Sequence, residues 1–278
     1  MNTRQSIGII SRRWPVTIKN YWFGQRPEKS AMPDIARLIS IPEPWPGAKN
    51  IESWTLLNDL AGTDSDLMAL LNRDTRNEVR RAGREGISVE RFDCQDLAIL
   101  DDFDLFYNKF SESKPEVRDI LKISVQLHML KRKAQAGMLE VSRAVGRDGE
   151  PLVYHVIIIA DGRARLLHTA SLFREDQNKE QRNYLGWANR YLHWQEMLHY
   201  RHQGYSQYDM GGWYAGRDNE SLLRVNRFKE EFGGRVVCEY DAMVGCSFQG
   251  RLALRAQDWL RMKKFVILRG YFRCFLFY

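Results

Sequence analysis

A long helical pattern begins with Asn183-Tyr184-Leu185-Gly186-Trp187-Ala188-Asn189-Arg190-Tyr191-Leu192-His193-Trp194 and is predicted to continue to about Gly204. A short strand, Tyr205-Ser206-Gln207-Tyr208-Asp209-Met210, follows it, and a second helix then closes with Phe228-Lys229-Glu230-Glu231-Phe232-Gly233-Gly234. In the first helix, large apolar side chains recur with the 3.6-residue period of an amphipathic helix, at Trp187, Tyr191, Trp194 and Leu198. We therefore predict a helix–strand–helix unit whose first helix packs this stripe into the core.

A polar face lies beside the apolar stripe of this helix. Its members share the i, i+3, i+4, i+7 spacing of one helix face, and they are Gly186, Asn189, Arg190 and His193. We expect Gly186 in the first turn, where a glycine lets a ligand approach the free N–H groups of the helix start, a ready anion site. The face is then one wall of a cleft. The alternative is an ordinary solvated face.

The composition is that of a globular protein, with its charge concentrated at one end. The chain has 278 residues, of which 44% are hydrophobic and 28% charged, which excludes disordered and collagen-like classes. The net charge is +7, but residues 247–278 hold seven basic residues and one acidic residue, so the remainder is nearly neutral. The net positive charge of the chain therefore does not by itself predict nucleic-acid binding.

Cysteine spacing and hydropathy bear on metals and on localisation. The four cysteines form no C-x-x-C pair, so we expect no metal site and no disulfide framework. The apolar run at 7–10 is too short for a signal peptide, and no run approaches the roughly 20 apolar residues of a membrane span. We predict a cytoplasmic protein.

From Ile87 onward, the predicted elements follow the order strand, two helices, three strands, helix, strand, helix, strand. Residues 1–50 hold six of the eight prolines and are predicted to be irregular. A helix from Ser65 is predicted to continue to Gly86, with a stripe of arginines that either is solvated or binds phosphates or RNA, at Arg73, Arg76, Arg80 and Arg84. The runs 138–145, 152–160 and 163–172 are joined through Asp-Gly pairs and predict an antiparallel meander.

This order, together with three local motifs, resembles the GNAT acyltransferase fold. The motifs are Thr75-Arg76-Asn77-Glu78-Val79-Arg80-Arg81-Ala82, Tyr208-Asp209-Met210-Gly211-Gly212 and Phe228-Lys229-Glu230-Glu231-Phe232-Gly233, and they are similar to the branch that contains the Fem-type peptidoglycan aminoacyltransferases and their single-domain acetyltransferase-like relatives. We expect an α/β (α+β) fold with a mixed, mainly antiparallel sheet, helices on both faces and splayed central strands. The expected divisions are an N-terminal extension packing on the main domain (1–71), the GNAT-like domain (72–245) and a basic aromatic tail (246–278).

The resemblance implies where a donor binds. In that fold the fourth and fifth strands splay, acyl-CoA pairs with the exposed strand edge, and its pyrophosphate rests on the next helix start. Gly186 and Ala188 match the family's Gln/Arg-x-x-Gly-x-Gly/Ala loop, whereas Asn183 departs from it. The expected donor-binding residues are Ser171, Asn183, Gly186, Ala188, Asn189 and Arg190. The donor is acetyl-CoA or another acyl-CoA, or aminoacyl-tRNA, which the Fem-type enzymes use.

Acyl transfer to an amine requires a polarised carbonyl, a deprotonated amine and a protonated leaving group. A backbone N–H near Ser171 can polarise the carbonyl, and His193 is the predicted base, with His168 as a second choice. Asp209 closes a strand at the cleft, Tyr214 is the candidate general acid, and Lys229 occupies a position that faces the site in the family. Each has a structural alternative: a core histidine, a turn former, a packed aromatic or a surface lysine.

The resemblance implies transfer of an acyl group to an amino group of a sugar or cell-envelope precursor, small or lipid-linked, in polysaccharide biosynthesis. The alternatives are an aminoacyl-tRNA-dependent transferase that binds RNA and a non-catalytic module on a degenerate GNAT scaffold. The tail interleaves basic and aromatic residues, so residues 251–278 are predicted to contact the anionic inner face of the membrane. The alternatives are that the tail docks on a partner or folds onto its own domain.

Overall fold

The structure is a computed structural model that describes residues 10–13, 16–28, 32–93, 96–113, 126–172 and 178–265. Over these residues the strands are β1 (Ile10–Arg13), β2 (Val16–Trp22), β3 (Ile35–Ile41), β4 (Lys49–Asp59), β5 (Ser88–Phe92), β6 (Leu139–Val145), β7 (Pro151–Ala160), β8 (Arg163–Ser171), β9 (Gln207–Gly212) and β10 (Arg235–Gly245). The helices are α1 (Asp64–Leu70), α2 (Arg73–Arg84), α3 (Ala98–Glu112), α4 (Leu127–Gln135), α5 (Lys179–His202), α6 (Glu220–Glu230) and α7 (Phe248–Phe265).

The chain forms two compact units, and their limits differ from the expected divisions at 71/72 and 245/246. Among the described residues, the first unit is built from those within 54–237, and the second from those within 4–53 and 238–278. Residues 54–71 belong to the first unit because their apolar side chains lie in its core, namely Leu56, Leu60, Leu67 and Leu71.

A mixed sheet forms the centre of the first unit, with the strand order β4-β9-β8-β7-β6-β5. The neighbours from β5 to β8 are antiparallel, β8 and β9 are parallel, and β9 is antiparallel to β4. The predicted meander is β6, β7 and β8. Its Asp-Gly turns use the left-handed backbone of tight hairpins, with φ of 80° at Gly149, 49° at Asp161 and 70° at Gly162. The predicted mixed, mainly antiparallel fold class is confirmed.

Helices cover both faces of this sheet. One face packs against α1, α2 and α5 in a cluster that includes Leu67, Val79, Trp194, Ile157 and Met210. The opposite face packs against α3 and α4 in a cluster that includes Phe103, Leu130, Val141 and Tyr154. The predicted stripe of α5 is core: Trp187 and Trp194 are buried, and Tyr191 and Leu198 pack against the same clusters.

The second unit contains β1, β2, β3 and β10 in that order. β1 and β2 are antiparallel, β2 and β3 are parallel, and β3 and β10 are antiparallel. The prediction that residues 1–50 are irregular was therefore wrong. Prolines in the described loops lie between the strands, at Pro27 and Pro33 before β3 and at Pro42, Pro44 and Pro46 after it, so they separate short strands instead of disrupting them.

Two helix boundaries also differ from the prediction, and in both cases an asparagine cap explains the difference. The helix predicted to run from Ser65 to Gly86 is two helices, because the Asn72 side chain accepts a hydrogen bond from the Thr75 N–H at 2.7 Å and starts α2. α5 starts at Lys179 and not at Asn183, because Asn178 forms a capping box with Gln181.

The predicted tail is partly helical, since α7 occupies Phe248–Phe265. No helix within the described ranges is long and apolar enough to cross a membrane. Part of the stretch for which we predict membrane contact, residues 266–278, lies outside the described residues.

Candidate active site

The strands β8 and β9 separate after a short paired segment. Their parallel pairs are Arg163 with Gln207, Ala164 with Tyr208 and Arg165 with Asp209. Beyond this point β8 continues beside β7 to Ser171, while β9 continues beside β4 to Gly212. A V-shaped opening, which we call the splay, therefore separates residues 166–171 from residues 210–212. The predicted splayed central strands are confirmed.

A bulge bends β8 just beyond the last pair. Val156 of β7 lies opposite His168, whereas the next residue, Ile157, lies opposite Leu166, so Leu167 is an extra residue of β8. A bulge leaves the extra residue out of the regular ladder and increases the local twist. The bulge thus accompanies the departure of β8 from β9, and bulges of this kind are frequent beside active sites.

Gly211 allows β9 to approach β8 closely at the narrow end of the splay, next to the last paired residues, which we call the mouth of the splay. Its φ of 74° lies in the left-handed region, and a Cβ atom on it would lie 2.9 Å from the carbonyl oxygen of Leu166. The carbonyl group of Gly211 is held as well, because it accepts a hydrogen bond from Nζ of Lys229 at 3.1 Å and lies 2.9 Å from the Thr55 hydroxyl, whose single proton it shares with the Asp209 carboxylate. A side chain at this position would therefore disturb the mouth of the splay.

Asp209 anchors the last paired position of β9. Its carboxylate accepts hydrogen bonds from Nε of Arg163 and NH1 of Arg165, both at 2.9 Å, from the Gly211 N–H at 2.8 Å, and from Thr55. Burial alone would raise the pKa of Asp209, but the two guanidinium groups and the hydrogen bonds outweigh it and lower the pKa. Asp209 is fully buried and ionised, so it fixes the backbone at the start of the splay.

Lys229 reaches the same place from α6. Its Nζ donates hydrogen bonds to the carbonyl oxygens of Gly211 at 3.1 Å and Gly212 at 2.5 Å, and the residue is 8% exposed. Burial lowers its pKa to about 8; the Asp209 charge opposes this shift and that of Arg165 adds to it. An ammonium group has three N–H donors, so two carbonyl contacts leave one donor for a ligand.

Tyr214 lies just beyond β9 and is half-buried. Its backbone N–H donates to Oδ1 of Asn226 at 3.1 Å, and the Asn226 side chain donates back to the Tyr214 carbonyl at 2.8 Å. Its phenol donates to the exposed carboxylate of Asp218, and this hydrogen bond lowers the pKa of Asp218. α6 thus fixes the backbone of Tyr214, while its hydroxyl group lies at the surface.

His193 belongs to a buried polar network on the opposite face of the sheet from Asp209. Its Nδ1 lies 2.8 Å from the Tyr208 hydroxyl group, which donates to Oε2 of Glu196 at 2.5 Å. His155 Nδ1 lies 2.9 Å from the same carboxylate oxygen, and its Nε2 lies 3.1 Å from Oδ1 of Asn189. Because the Tyr208 hydroxyl donates its proton to Glu196, its oxygen can accept a hydrogen bond from the Nδ1–H of His193.

The protonation states of this network follow from its burial. Burial and the charges of His155, Lys229 and Arg190 lower the pKa of His193 well below its usual value, so the ring is neutral. Burial alone would raise the pKa of Glu196, but His155 and the hydrogen bonds from His155, Ser142 and Tyr208 outweigh it and lower the pKa. Burial raises the pKa of Tyr208, with a further contribution from Glu196. The Glu196 carboxylate is thus held beside the neutral side chains of His193 and Tyr208.

The network also contains a possible ligand set for a metal ion. Donor atoms of His155, His193 and Glu196 lie within 4.8 Å of one another. In the structure the Glu196 carboxylate and both ring nitrogens of His155 bond to one another and to Tyr208, Asn189 and Ser142, and Nδ1 of His193 bonds to Tyr208. This arrangement supports a structural hydrogen-bond network.

His168, the second candidate base, faces α3 from β8. The rings of Phe103 and Tyr107 lie at centroid distances of 6.3 and 6.2 Å. Burial, with a smaller contribution from the Lys133 charge, lowers the pKa of His168 to about 3. This ring is neutral across the physiological range of pH.

The residues predicted to bind a donor occupy several environments. Arg190 forms an ion pair with Glu231, with Nε 2.8 Å from Oε2 and NH2 3.0 Å from Oε1. Ala188 is buried, and Asn189 bonds to His155. Ser171 is half-buried at the end of β8, on the edge of the splay. Asn183 is exposed in the second turn of α5.

Gly186 lies in the third turn of α5 and not in the first, because the helix starts at Lys179. Free N–H groups at a helix start belong to its first turn, here residues 179–182, where Glu180 is the acidic residue. Within the predicted set, the structure brings Asp209 and Lys229 together around Gly211, whereas His193 lies on the other face of the sheet. The roles of all these residues in binding or catalysis stay predictions.

Several residues around the site were not identified as candidates from the sequence, most clearly Glu196, His155, Arg163, Arg165 and Thr55. Glu196 had a signal, because it falls three residues after His193 on the helix face that the sequence predicts to be polar. The others lie on strands that look apolar or exposed in sequence, and only strand pairing places them beside Asp209 or Glu196.

Comparisons with known proteins bear on the fold. No protein-family model matches the chain, and no curated protein matches it. Among solved structures, FemX aligns with a TM-score of 0.61 and 14% identity over 86% of this chain and 84% of FemX. The chain has a GNAT-like fold similar to that of FemX. At this identity the likeness concerns the fold alone.

Two further structures resemble this GNAT-like fold more distantly. The C-terminal domain of a putative lysylphosphatidylglycerol synthetase from Agrobacterium fabrum aligns with a TM-score of 0.48 and 15% identity, over 95% of this chain and 87% of that one. A tandem GNAT protein from the clavulanic acid biosynthesis pathway aligns with a TM-score of 0.36 and 12% identity, over 77% of this chain and 64% of that one.

Proposed function

We propose that this protein is an acyltransferase that binds an acyl donor along the β8 edge of the splay and transfers the acyl group to an amine. The observation that carries the proposal is the separation of β8 from β9 after Arg165, beside Lys229 and Gly211. An extended donor can pair with an exposed strand edge as an added strand, and its backbone-like amides supply the hydrogen bonds.

In the proposed reaction the amine nitrogen attacks the donor carbonyl carbon, the new C–N bond forms, and the C–S or C–O bond to the carrier breaks. Negative charge develops on the carbonyl oxygen and then on the leaving atom. Lys229 supports this step, because its remaining N–H can stabilise negative charge in a buried place. Its pKa of about 8 also permits proton transfer near neutral pH.

The remaining candidate residues have supporting roles in this proposal. Asp209, held by Arg163 and Arg165, keeps β9 in register so that Gly211 and Lys229 meet at the mouth of the splay. Tyr214 is the candidate proton donor for the leaving group, since its hydroxyl lies at the surface after β9. His193 remains a candidate base, although Phe228 and Phe232 pack against its ring.

The donor we favour is an acyl-CoA, most simply acetyl-CoA, and the proposed acceptor is an amino group of a sugar or cell-envelope precursor on the cytoplasmic side. Aminoacyl-tRNA is the second candidate donor. The observation in its favour is that Arg73, Arg80 and Arg84 of the predicted arginine stripe are exposed on α2, whereas Arg76 bonds to the Leu71 carbonyl at 2.6 Å. A non-catalytic binding module is the third candidate.

A thermal-shift titration with CoA, acetyl-CoA and ADP tests the donor. A ligand present at about a hundred times its dissociation constant raises the free energy of unfolding by about 2.7 kcal/mol, which is readily measured. A shift with acetyl-CoA and CoA but not with ADP would support the acyl-CoA donor. Without that shift, binding of tRNA with a steep salt dependence, lost in an Arg80→Gln/Arg84→Gln variant, would support the second donor. If neither binds, the transferase proposal fails.

A further inference from the structure

A basic cavity of about 290 Å³ lies within the second unit. Its walls are the β3 residue Arg37, the loop and first residues of β4 around Lys49, the stretch Asp241–Gly245 of β10, and the first half of α7 with Arg251 and Arg255. Arg37 lies opposite Met243 in the strand pairing, so β3 and β10 bring these two lining residues side by side. We call it the basic cavity.

The position of α7 over the basic cavity is fixed by hydrogen bonds at its start. The Ser247 hydroxyl donates to Oδ1 of Asp34 at 2.5 Å, and the Cys246 N–H donates to the Asp34 carbonyl at 2.8 Å. Asp34 is held in turn by the Thr17 hydroxyl at 2.8 Å. Arg251 and Arg255 are four residues apart and therefore project from the same face of this anchored helix.

The charges around the basic cavity are unbalanced. Four cationic side chains line it, Arg37, Lys49, Arg251 and Arg255, against the single carboxylate of Asp241. That carboxylate already accepts a hydrogen bond from the Ser40 N–H at 2.8 Å, at a bulge of β10. Within the described part of the chain, the side chains of Lys49, Arg251 and Arg255 form no ion pair. Like charges held around one cavity repel each other, and a bound anion removes this repulsion.

We propose that the basic cavity binds the phosphate group of an organic phosphate ester. Guanidinium groups match the geometry of phosphate oxygens and can bind them in a bidentate manner. Apolar side chains complete the wall, including Ile51, Val244 and Leu254, and they suit a small carbon skeleton attached to the phosphate. The volume is at the lower end of the roughly 300–1,000 Å³ of small-molecule sites, which fits one phosphate with a small group.

Two sources supply this chemistry, a soluble phosphate ester and the headgroup of an anionic phospholipid. Isothermal titration of the full-length protein with glycerol 3-phosphate tests the first. Co-sedimentation with phosphatidylglycerol vesicles, compared with phosphatidylcholine vesicles, tests the second. Both measurements use the wild type, an Arg251→Gln/Arg255→Gln variant, and a matched Arg224→Gln/Arg235→Gln variant that removes two exposed arginines of the first unit.

We expect saturable binding of at least one probe. Loss of a charge-assisted hydrogen bond weakens binding by about tenfold or more, so the Arg251/Arg255 variant should bind about a hundredfold more weakly while the matched control binds as the wild type does. A Lys49→Gln variant, changed outside α7, gives a second test if the double variant does not fold. Equal binding by the variants and the wild type, or binding of neither probe, would overturn the proposal. These readouts do not depend on acyl transfer.

Discussion

The Tyr208 hydroxyl group lies 2.5 Å from Oε2 of Glu196 and 2.8 Å from Nδ1 of His193, so one phenol joins the buried carboxylate of α5 to the imidazole one turn before it. Tyr208 lies on β9 directly before Asp209, the last residue paired with β8. The network on one face of the sheet and the ionic anchor on the other therefore hold two adjacent residues of β9, Tyr208 and Asp209. We expect this part of β9 to be the rigid side of the splay.

Replacing Glu196 should lower the stability of the protein more than replacing any exposed carboxylate does. In Glu196→Gln the amide presents N–H groups to His155, Ser142 and Tyr208, which are themselves donors, and breaking a buried charged network costs about 3 kcal/mol. In a domain of this size that corresponds to a decrease of about 6–12 °C in melting temperature. Calorimetry of Glu196→Gln beside the exposed Glu230→Gln measures the difference. Equal melting temperatures would contradict the network as a source of stability.

Buried neutral histidines should make the protein less stable in acid. The pKa of His193 is lowered well below its usual value and that of His168 to about 3, so the unfolded chain takes up protons below about pH 6.5 while the native rings do not. Stability therefore falls as the pH falls, by at most about 1.4 kcal/mol per pH unit for each histidine. Urea unfolding measured at several pH values between 7 and 4 gives the free energy of unfolding. This free energy should decrease less steeply with falling pH in His193→Phe than in the wild type. The same slope would show that the native His193 also takes up a proton.

The rate of acyl transfer should depend on Lys229 with a transition near pH 8, the value to which burial lowers its pKa. If the ammonium stabilises the oxyanion, the rate falls above pH 8; if the neutral amine removes a proton, the rate rises through pH 8. Lys229→Met should lower turnover about a hundredfold and remove the transition. Lys131→Met, a change to the exposed Lys131–Asp101 ion pair, is the control. A transition that persists in Lys229→Met belongs to another group.

The lowered pKa of Lys229 should also affect how the free energy of unfolding depends on pH. Its folded pKa lies below the unfolded value of about 10.4, so between about pH 8 and 10.4 the unfolded chain binds more protons and stability rises with pH. The free energy of unfolding of the wild type should increase across this range relative to that of Lys229→Met. A constant difference between the two proteins would mean that the lysine has an ordinary pKa.

The mouth of the splay should tolerate a methyl group at Gly212 but not at Gly211. In Gly211→Ala, the Cβ would lie 2.9 Å from the Leu166 carbonyl oxygen on a backbone with φ of 74°, which costs about 1–2 kcal/mol for the left-handed conformation alone. At Gly212 a Cβ would meet nothing within 4 Å. We expect Gly211→Ala to lose donor binding and stability together, and Gly212→Ala to retain both. Unchanged acetyl-CoA binding in Gly211→Ala would place the donor elsewhere.

Features of the site that depend on short-range patterns could be predicted from the sequence. The tryptophan stripe of α5 follows the helical period, and the Asp-Gly pairs specify the meander turns. Helix starts were less accessible. Asn178 and Asn72 are caps that lie in polar stretches with several other candidate starts, and only the hydrogen bonds to Gln181 and Thr75 select them. The position of Gly186 was misjudged for that reason.

By itself, the sequence determined the order of elements from β5 to β10, the antiparallel meander and the residues at the end of β9, because each depends on periodicity or turn chemistry within a few residues. Only the tertiary structure decided which polar groups meet. The contacts of Asp209 with Arg163 and Arg165 arise from a parallel pairing between strands 44 residues apart, and those of Glu196 with His155 from a helix crossing a sheet. Such contacts depend on strand register and helix placement, which the burial of the whole core sets and no local pattern encodes.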